Sequence, residues 1–157
     1  QESRGLGDVY KRQGTIYVNR GQVADNNGLL NKYKVIVTYA MSGGNKPSSD
    51  GKYQILSSLK VLGSGEACTE TYLILDVFDT EEEANNMISY ASTKFFRFLL
   101  LQALSSIHIT KDKFCFVPLV DVSRPWTDED LFDKYGLDEA ECELIDSMIK
   151  PMDRGDN

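Results

Sequence analysis

The stretch "CTETYLILDVFDTEEEANNMISYASTKFFRFLLLQAL", Cys68–Leu104, decides how this chain folds. It opens with a β-branched and aromatic run, Cys68–Phe78, that reads as a strand with a polar start. Its end is almost continuously apolar, the pattern of a strand covered on both faces. At Asp79 the period changes. Ala84, Met87, Ile88, Ala91, Phe95, Phe98 and Leu99 recur at three- and four-residue steps, which predicts a helix. Thr80 is placed to cap it, with Glu83 completing a capping box. Glu81, Glu82 and Glu83 favour the positive end of the helix dipole, so the acidic run needs no metal to account for it. The pattern predicts one long helix from Thr80 to about Leu104, roughly 37 Å at 1.5 Å per residue. By "FFRFLLL" it is apolar nearly all round and should be buried.

Working outward, "KYKVIVTYAM", Lys32–Met41, predicts the clearest other strand, with Val35, Val37 and Tyr39 on one face and Lys34, Ile36 and Thr38 on the other. "TIYVNRGQV", Thr15–Val23, predicts a strand with a turn at Asn19–Gly21, and "QILSSLKVL", Gln54–Leu62, a weaker one. Between them, Ser42–Lys52 is dense in Gly, Ser, Asn and Pro, a loop composition. "KFCFVPLVDV" reads as a short strand ended by Pro118. Thr127 caps a helix with Asp130 in the box position and Gly136 at its end, and Trp126 with Leu131 forms a hydrophobic staple. Asp138 caps a last helix, with Glu141 in the box and Pro151 closing it. Strands and helices without strict alternation predict an α+β fold: a small mixed or antiparallel sheet on one long buried helix, with two short C-terminal helices.

The chain has 157 residues and a formal charge of −7, but the charge is segregated. Gly14–Lys60 carries two acids and six bases, whereas Asp121–Asn157 carries twelve acids and four bases. The basic half suits phosphate; the acidic half suits solvent or a protein partner. Cys68, Cys115 and Cys142 are too few and too scattered for a disulfide framework, and read as reduced, buried small hydrophobes of a cytoplasmic protein. The most apolar window, "FFRFLLLQAL", is too short to span a bilayer.

Known chemistries find little purchase. Pro47, Pro118, Pro125 and Pro151 are isolated, so no Asn-Pro-Pro-Tyr loop is present to hold a target amine. "SGG" and "GSG" lack the following helix that would bind phosphate. Asp50-Gly51-Lys52 has a nuclease-like spacing but reads as a turn. His108, the single histidine, lies among apolar residues and reads as structural. No catalytic residue and no metal site is expected.

Two resemblances remain. Ser3–Gln13, "SRGLGDVYKRQ", resembles the translated end of a transposase-type DNA-sequencing adapter. Residues 1–13 are therefore set aside as an artefact, the authentic chain is expected to begin near Gly14, and 154–157 is expected to be a tail. Three blocks, "NKYKVIV", "CTETYLIL" with "SYASTKFFRFLLL", and "FVPLVDVSRPWTDEDLFDKYGLDEAECELIDSMIKPMD", resemble in order and spacing the C-terminal region of adenine-specific DNA methyltransferases of type II restriction-modification systems, including fused restriction-methylase proteins. The resemblance covers residues 14–153 and implies a target-recognition domain for double-stranded DNA. It implies that the S-adenosylmethionine cofactor and the catalytic loop belong to an upstream methyltransferase domain, so this fragment is expected to be inactive alone.

On that reading Arg20, Lys34, Lys46 and Lys52 are candidates for phosphate, and Ser42 and Asn45 for base edges. Thr69 and Thr71 alternate on one strand face and are further candidates. Lys94 and Arg97 share a helix face, either as a basic edge toward the DNA backbone or with Arg97 paired to a buried acid such as Glu70. The alternative is a protein-interaction module that docks the catalytic domain or a partner subunit through the acidic Asp121–Asp146 helices.

Overall fold

The structure, a computed structural model, describes residues 16–38, 46–56, 58–104 and 110–152. It is α+β: a three-stranded antiparallel sheet and four α-helices. The strands are β1 (Tyr33–Thr38), β2 (Lys60–Leu62) and β3 (Tyr72–Phe78), in the order β2-β1-β3. Between Val35 and Ile36 the register with β3 slips, leaving Leu75 as the extra residue of a bulge.

The central position of β1 corrects one expectation. The strand buried on both faces is β1, whose Lys34, Val35, Ile36 and Val37 are all buried. The more apolar β3 is an edge strand with no fully buried residue. Sheet order, which composition does not encode, decides this. Two other predicted strands are absent. Ile16, Tyr17 and Val18 are exposed and pair with nothing among the described residues, and the chain turns through a short 3-10 helix at Arg20–Gln22. "KFCF" forms a 3-10 helix at Lys111–Phe116. The Gln54–Leu62 strand shrinks to β2, apart from an isolated bridge between Tyr53 and Ile149.

The predicted long helix is two helices. α1 (Glu81–Ala91) starts where expected, with the reciprocal Thr80–Glu83 capping box in place. It ends at Ser92, and α2 (Lys94–Ala103) begins afresh. Thr93 adopts an extended backbone, and its hydroxyl accepts from the Phe96 N–H, as an N-cap does. The apolar period runs through the break, so hydrophobic pattern alone could not reveal it; the local signal was Ser-Thr.

α1 packs on the sheet, while α2 packs against α3 (Asp128–Tyr135) and α4 (Glu139–Met148). Both C-terminal helices carry the predicted capping boxes, and Gly136 ends α3 in the left-handed conformation at φ 66°. Trp126 and Leu131 are buried in the shared core. The segment before α3 is tied to α1 by polar bonds. Tyr90 donates to Pro118 O at 2.6 Å, Asn86 to Val122 O at 2.9 Å, and the Trp126 N–H to Ser89 Oγ at 2.8 Å.

The cysteines are not core residues: Cys68 and Cys142 are half-buried and Cys115 is exposed, because its 3-10 turn lies on the surface. Among the described residues, no helix is long and apolar enough to cross a membrane.

Two predictions follow the caps. Asp128 accepts from the N–H groups of Lys94 and Phe95 and so caps α2 from another helix. Asp128→Ala should lower stability by about 1–2 kcal/mol in urea unfolding; an unchanged midpoint would remove its bridging role. Asp121 and Asp130 lie below the ordinary carboxylate range, chiefly because backbone N–H groups of Ser123 and Thr127 donate to them. A depressed folded pKa gives stability that is present above the unfolded value and lost as pH falls through the folded one. Stability should therefore decline below about pH 4, and the combined Asp121→Asn and Asp130→Asn variant should show a flatter acid limb in melts taken across pH.

Candidate nucleic-acid interface

The residues singled out from the sequence separate into internal cations, clustered cations and surface cations. Lys34 and Arg97 are internal. Lys34 sits at the core of the sheet, 3% exposed, and its ammonium donates to Leu29 O, Leu30 O and Gly63 O at 3.0–3.3 Å. Burial lowers its pKa, against the opposing pull of Glu66 and Asp25. Its three donors are matched to three carbonyls of surrounding turns, so its work is to gather those turns.

Arg97 is completely buried. Its Nε donates to Ser92 O and Thr93 O, both at 3.2 Å, and its Nη1 to Gln54 O at 3.2 Å. Neither sequence alternative describes it, since Glu70 is exposed and far from this role. The guanidinium instead donates to carbonyls at the junction where α1 stops and α2 begins. Burial brings its pKa down to about 10, with Asp128 pulling the other way. The Gln54 carbonyl it holds also accepts from the Leu56 N–H at 2.9 Å, closing a tight turn around Ile55. Ile55 has φ 64°, a strained backbone for a β-branched residue. Sequence reading missed this turn, for nothing in "QILSS" signals positive φ.

Lys52, Lys94 and Arg97 are brought together from distant positions. The Lys94 ammonium pairs with Asp146 at 2.6 Å, and the Lys52 ammonium donates to the Asp146 carbonyl at 3.1 Å. Lys150 joins them through Asp50 at 3.3 Å. The loop holding Lys52 is fixed to the end of α4, with Tyr53 N–H donating to Met148 O and Lys150 N–H to Tyr53 O. Asp50-Gly51-Lys52 is a turn, with Gly51 at φ 78° and Lys52 N–H donating to Asp50 Oδ1. Among the described residues no group of three or more His, Cys, Asp and Glu is placed to hold a metal.

A polar cavity of about 290 Å³ opens beside this cluster, lined by Thr93, Lys94, Arg97, Thr127, Asp128 and Glu129 among others. Lys46 is exposed, and Arg20 is exposed with its guanidinium donating to Asn31 Oδ1 at 3.1 Å. Lys60, counted in the basic half but not singled out, is exposed on edge strand β2. Thr69 and Thr71 precede β3 and do not lie on it; their hydroxyls share a hydrogen bond at 2.7 Å in an exposed turn. Ser42, Asn45 and His108 lie outside the described residues. The sequence also gave no warning of Arg124, stacked 3.9 Å from the Trp126 ring on the acidic half. No protein-family model, curated protein or solved structure matches this chain.

The internal and surface lysines should separate cleanly in stability measurements. Lys34→Met strands three carbonyls and should cost about 2–3 kcal/mol, whereas Lys46→Met should change urea stability by less than about 0.5 kcal/mol. Equal effects would show that Lys34 does not organise its turns.

Proposed function

We propose that this chain is a target-recognition region for double-stranded DNA, belonging to an adenine-specific methyltransferase whose catalytic domain and S-adenosylmethionine site lie upstream. The observation that carries the reading is that Arg20, Lys46 and Lys60 of the basic half of the chain are exposed, while Lys52 and Lys94 are gathered half-buried beside Asp146. The three sequence blocks that resemble such methyltransferases support it independently. Phosphate contacts fix register on a duplex and are made by exposed lysine and arginine. Arg20, Lys46 and Lys60 meet that requirement in this chain, whereas Lys52 is half-buried with its ammonium on the Asp146 carbonyl and Lys34 is committed to the interior.

A second reading is favoured by one observation. Leu144 is 50% exposed on α4, one turn after Glu141 on the same face, and Tyr135 is exposed at the end of α3. An exposed apolar residue on an acid-rich helix suits a docked basic surface, such as the catalytic domain itself or a partner subunit.

The test is fluorescence anisotropy of a labelled duplex with the intact chain across a salt series. Binding should weaken linearly in log–log form as salt rises. The combined Arg20→Glu, Lys46→Glu and Lys60→Glu variant should lose binding, while Asp133→Asn with Glu143→Gln should retain it. Asp128 and Lys34 are left intact because both hold the fold together. Binding that survives the charge reversals would overturn the DNA reading.

A further inference from the structure

An open sheet ends in two edges, whose outward N–H and C=O groups pair with whatever strand is offered. Here the edges are β2 and β3. β2 is three residues long and carries the exposed Lys60, two features that discourage pairing. β3 has neither. It is the longest of the three strands, "YLILDVF", without lysine or proline, and β1 is its one partner strand among the described residues. Its single charge, Asp76, lies beyond the bulge at Leu75, where the carboxylate accepts from the Val77 N–H. The uncharged, regularly paired stretch before the bulge is Tyr72–Ile74.

The same chain carries a strand former without a sheet. Ile16, Tyr17 and Val18 are 67%, 97% and 55% exposed and pair with nothing among the described residues. The turn that follows holds them out. Asn19 N–H donates to Gln22 Oε1 at 2.9 Å, Gln22 N–H to Asn19 O at 2.8 Å, and the Arg20 guanidinium to Asn31. Just past that turn, Val23 and Ala24 line a cavity together with Ile74. The root of the arm therefore lies beside the open strand, while its apolar end stands in solvent. An edge and a strand former are present in one molecule and do not meet within it.

Charge selects what the edge accepts. Glu70–Glu83 holds six acids and no base, so two β3 edges brought together repel. Gly14–Val23 holds a single charge, Arg20, which an acidic edge attracts and the Lys60 of β2 does not. We propose that the Ile16–Val18 arm of one copy adds as a fourth strand to the Tyr72–Ile74 edge of a second copy, and that the exchange is reciprocal, giving a two-fold dimer. Arm and edge match in length. Backbone bonds supply the pairing, and strand alternation places Ile16 and Val18 on one face and Tyr17 on the other. Reciprocity matters because one such pairing is marginal alone, whereas the second forms within a complex already made. The contact is small beside the ~1,200 Å² of a standard interface, so the dimer is weak and depends on concentration. It rests neither on the DNA reading nor on the acidic helices.

The experiment is sedimentation equilibrium of the intact chain over a concentration series, with amide hydrogen exchange followed at both ends of the series. The mass should rise from that of one chain toward that of two, and exchange at Ile16–Val18 should slow as it does. Tyr17→Asp changes a side chain almost wholly in solvent, so the monomer stays folded, and it sets a carboxylate against an acidic edge. It should weaken association at least roughly ten-fold, the scale of one lost aromatic burial. Leu144→Gln, on the exposed apolar position of α4, should leave association unchanged. A chain that stays monomeric, association indifferent to Tyr17→Asp, or association lost with Leu144→Gln would overturn the exchange. So would slow exchange of the arm at every concentration, which would mean that it pairs with its own β3.

Discussion

The guanidinium of Arg97 is the interaction on which the arrangement of this molecule depends. A helix that stops leaves carbonyls without partners, and burying them unpaired is expensive. α1 stops inside the core, where water cannot help. Arg97, one turn into α2, turns back and donates to Ser92 O and Thr93 O while also reaching Gln54 O. One side chain thus closes the helix break and fixes the strained turn around Ile55. Asp128 completes the joint from the other side by capping α2. The sheet with α1 and the helical pair α3–α4 meet through this joint. The arginine suits this joint because its fork reaches two places at once, Nε toward the adjacent Ser92 and Thr93 carbonyls and Nη1 toward Gln54 O.

Much of the fold was legible because the signals were local. Thr80, Thr127 and Asp138 each cap a helix with an acid three residues on, and each box forms as read. Gly136 ends α3 because only a residue at ease with positive φ closes that turn without strain. β1 was legible from its unbroken β-branched run. Non-local facts were not. Whether "YLILDVF" or "YKVIVT" occupies the middle of the sheet depends on which strands flank it, and apolar content pointed to the wrong one. The break at Ser92–Thr93 was hidden because the apolar residues on either side stay in phase. "TIYV" has strand-forming residues but no partner among the described residues, and propensity without a partner gives no strand.

The candidate site was legible as a charge imbalance and illegible as geometry. The basic half of the chain was correctly counted, yet counting cannot tell a cation that holds the fold from one that faces solvent. Lys34 and Arg97 belong to the first kind, each donating to three backbone carbonyls from two separate segments. Two neighbours on one helix, Lys94 and Arg97, even divide between the kinds: Lys94 pairs at the rim with Asp146 while Arg97 lies wholly inside. Helical phase put them on one face, and depth separated them. Depth comes from α3 and α4, which are folded from sequence more than thirty residues away.

This division narrows where recognition can occur. A cation that satisfies backbone carbonyls cannot leave them for a phosphate without reopening the break it closes, so the interior pair is withdrawn from direct surface contact. Lys52 is held in the same way by the Asp146 carbonyl, so what remains is Lys46 in the loop before it, Arg20 in a 3-10 turn, and Lys60 on the outer edge of β2. Of these, Lys60 has a sufficient structural reason to be charged, since lysine on an edge strand discourages pairing with another chain. Lys46 has none: it is exposed, in a loop, and adjacent to Pro47, which limits backbone freedom there. A long flexible side chain on a restrained backbone is suited to reach outward, because ordering it on a ligand costs only side-chain entropy. Lys46 is therefore the position at which charge reversal separates a recognition role from an edge-protecting one, a distinction that Lys60 cannot make.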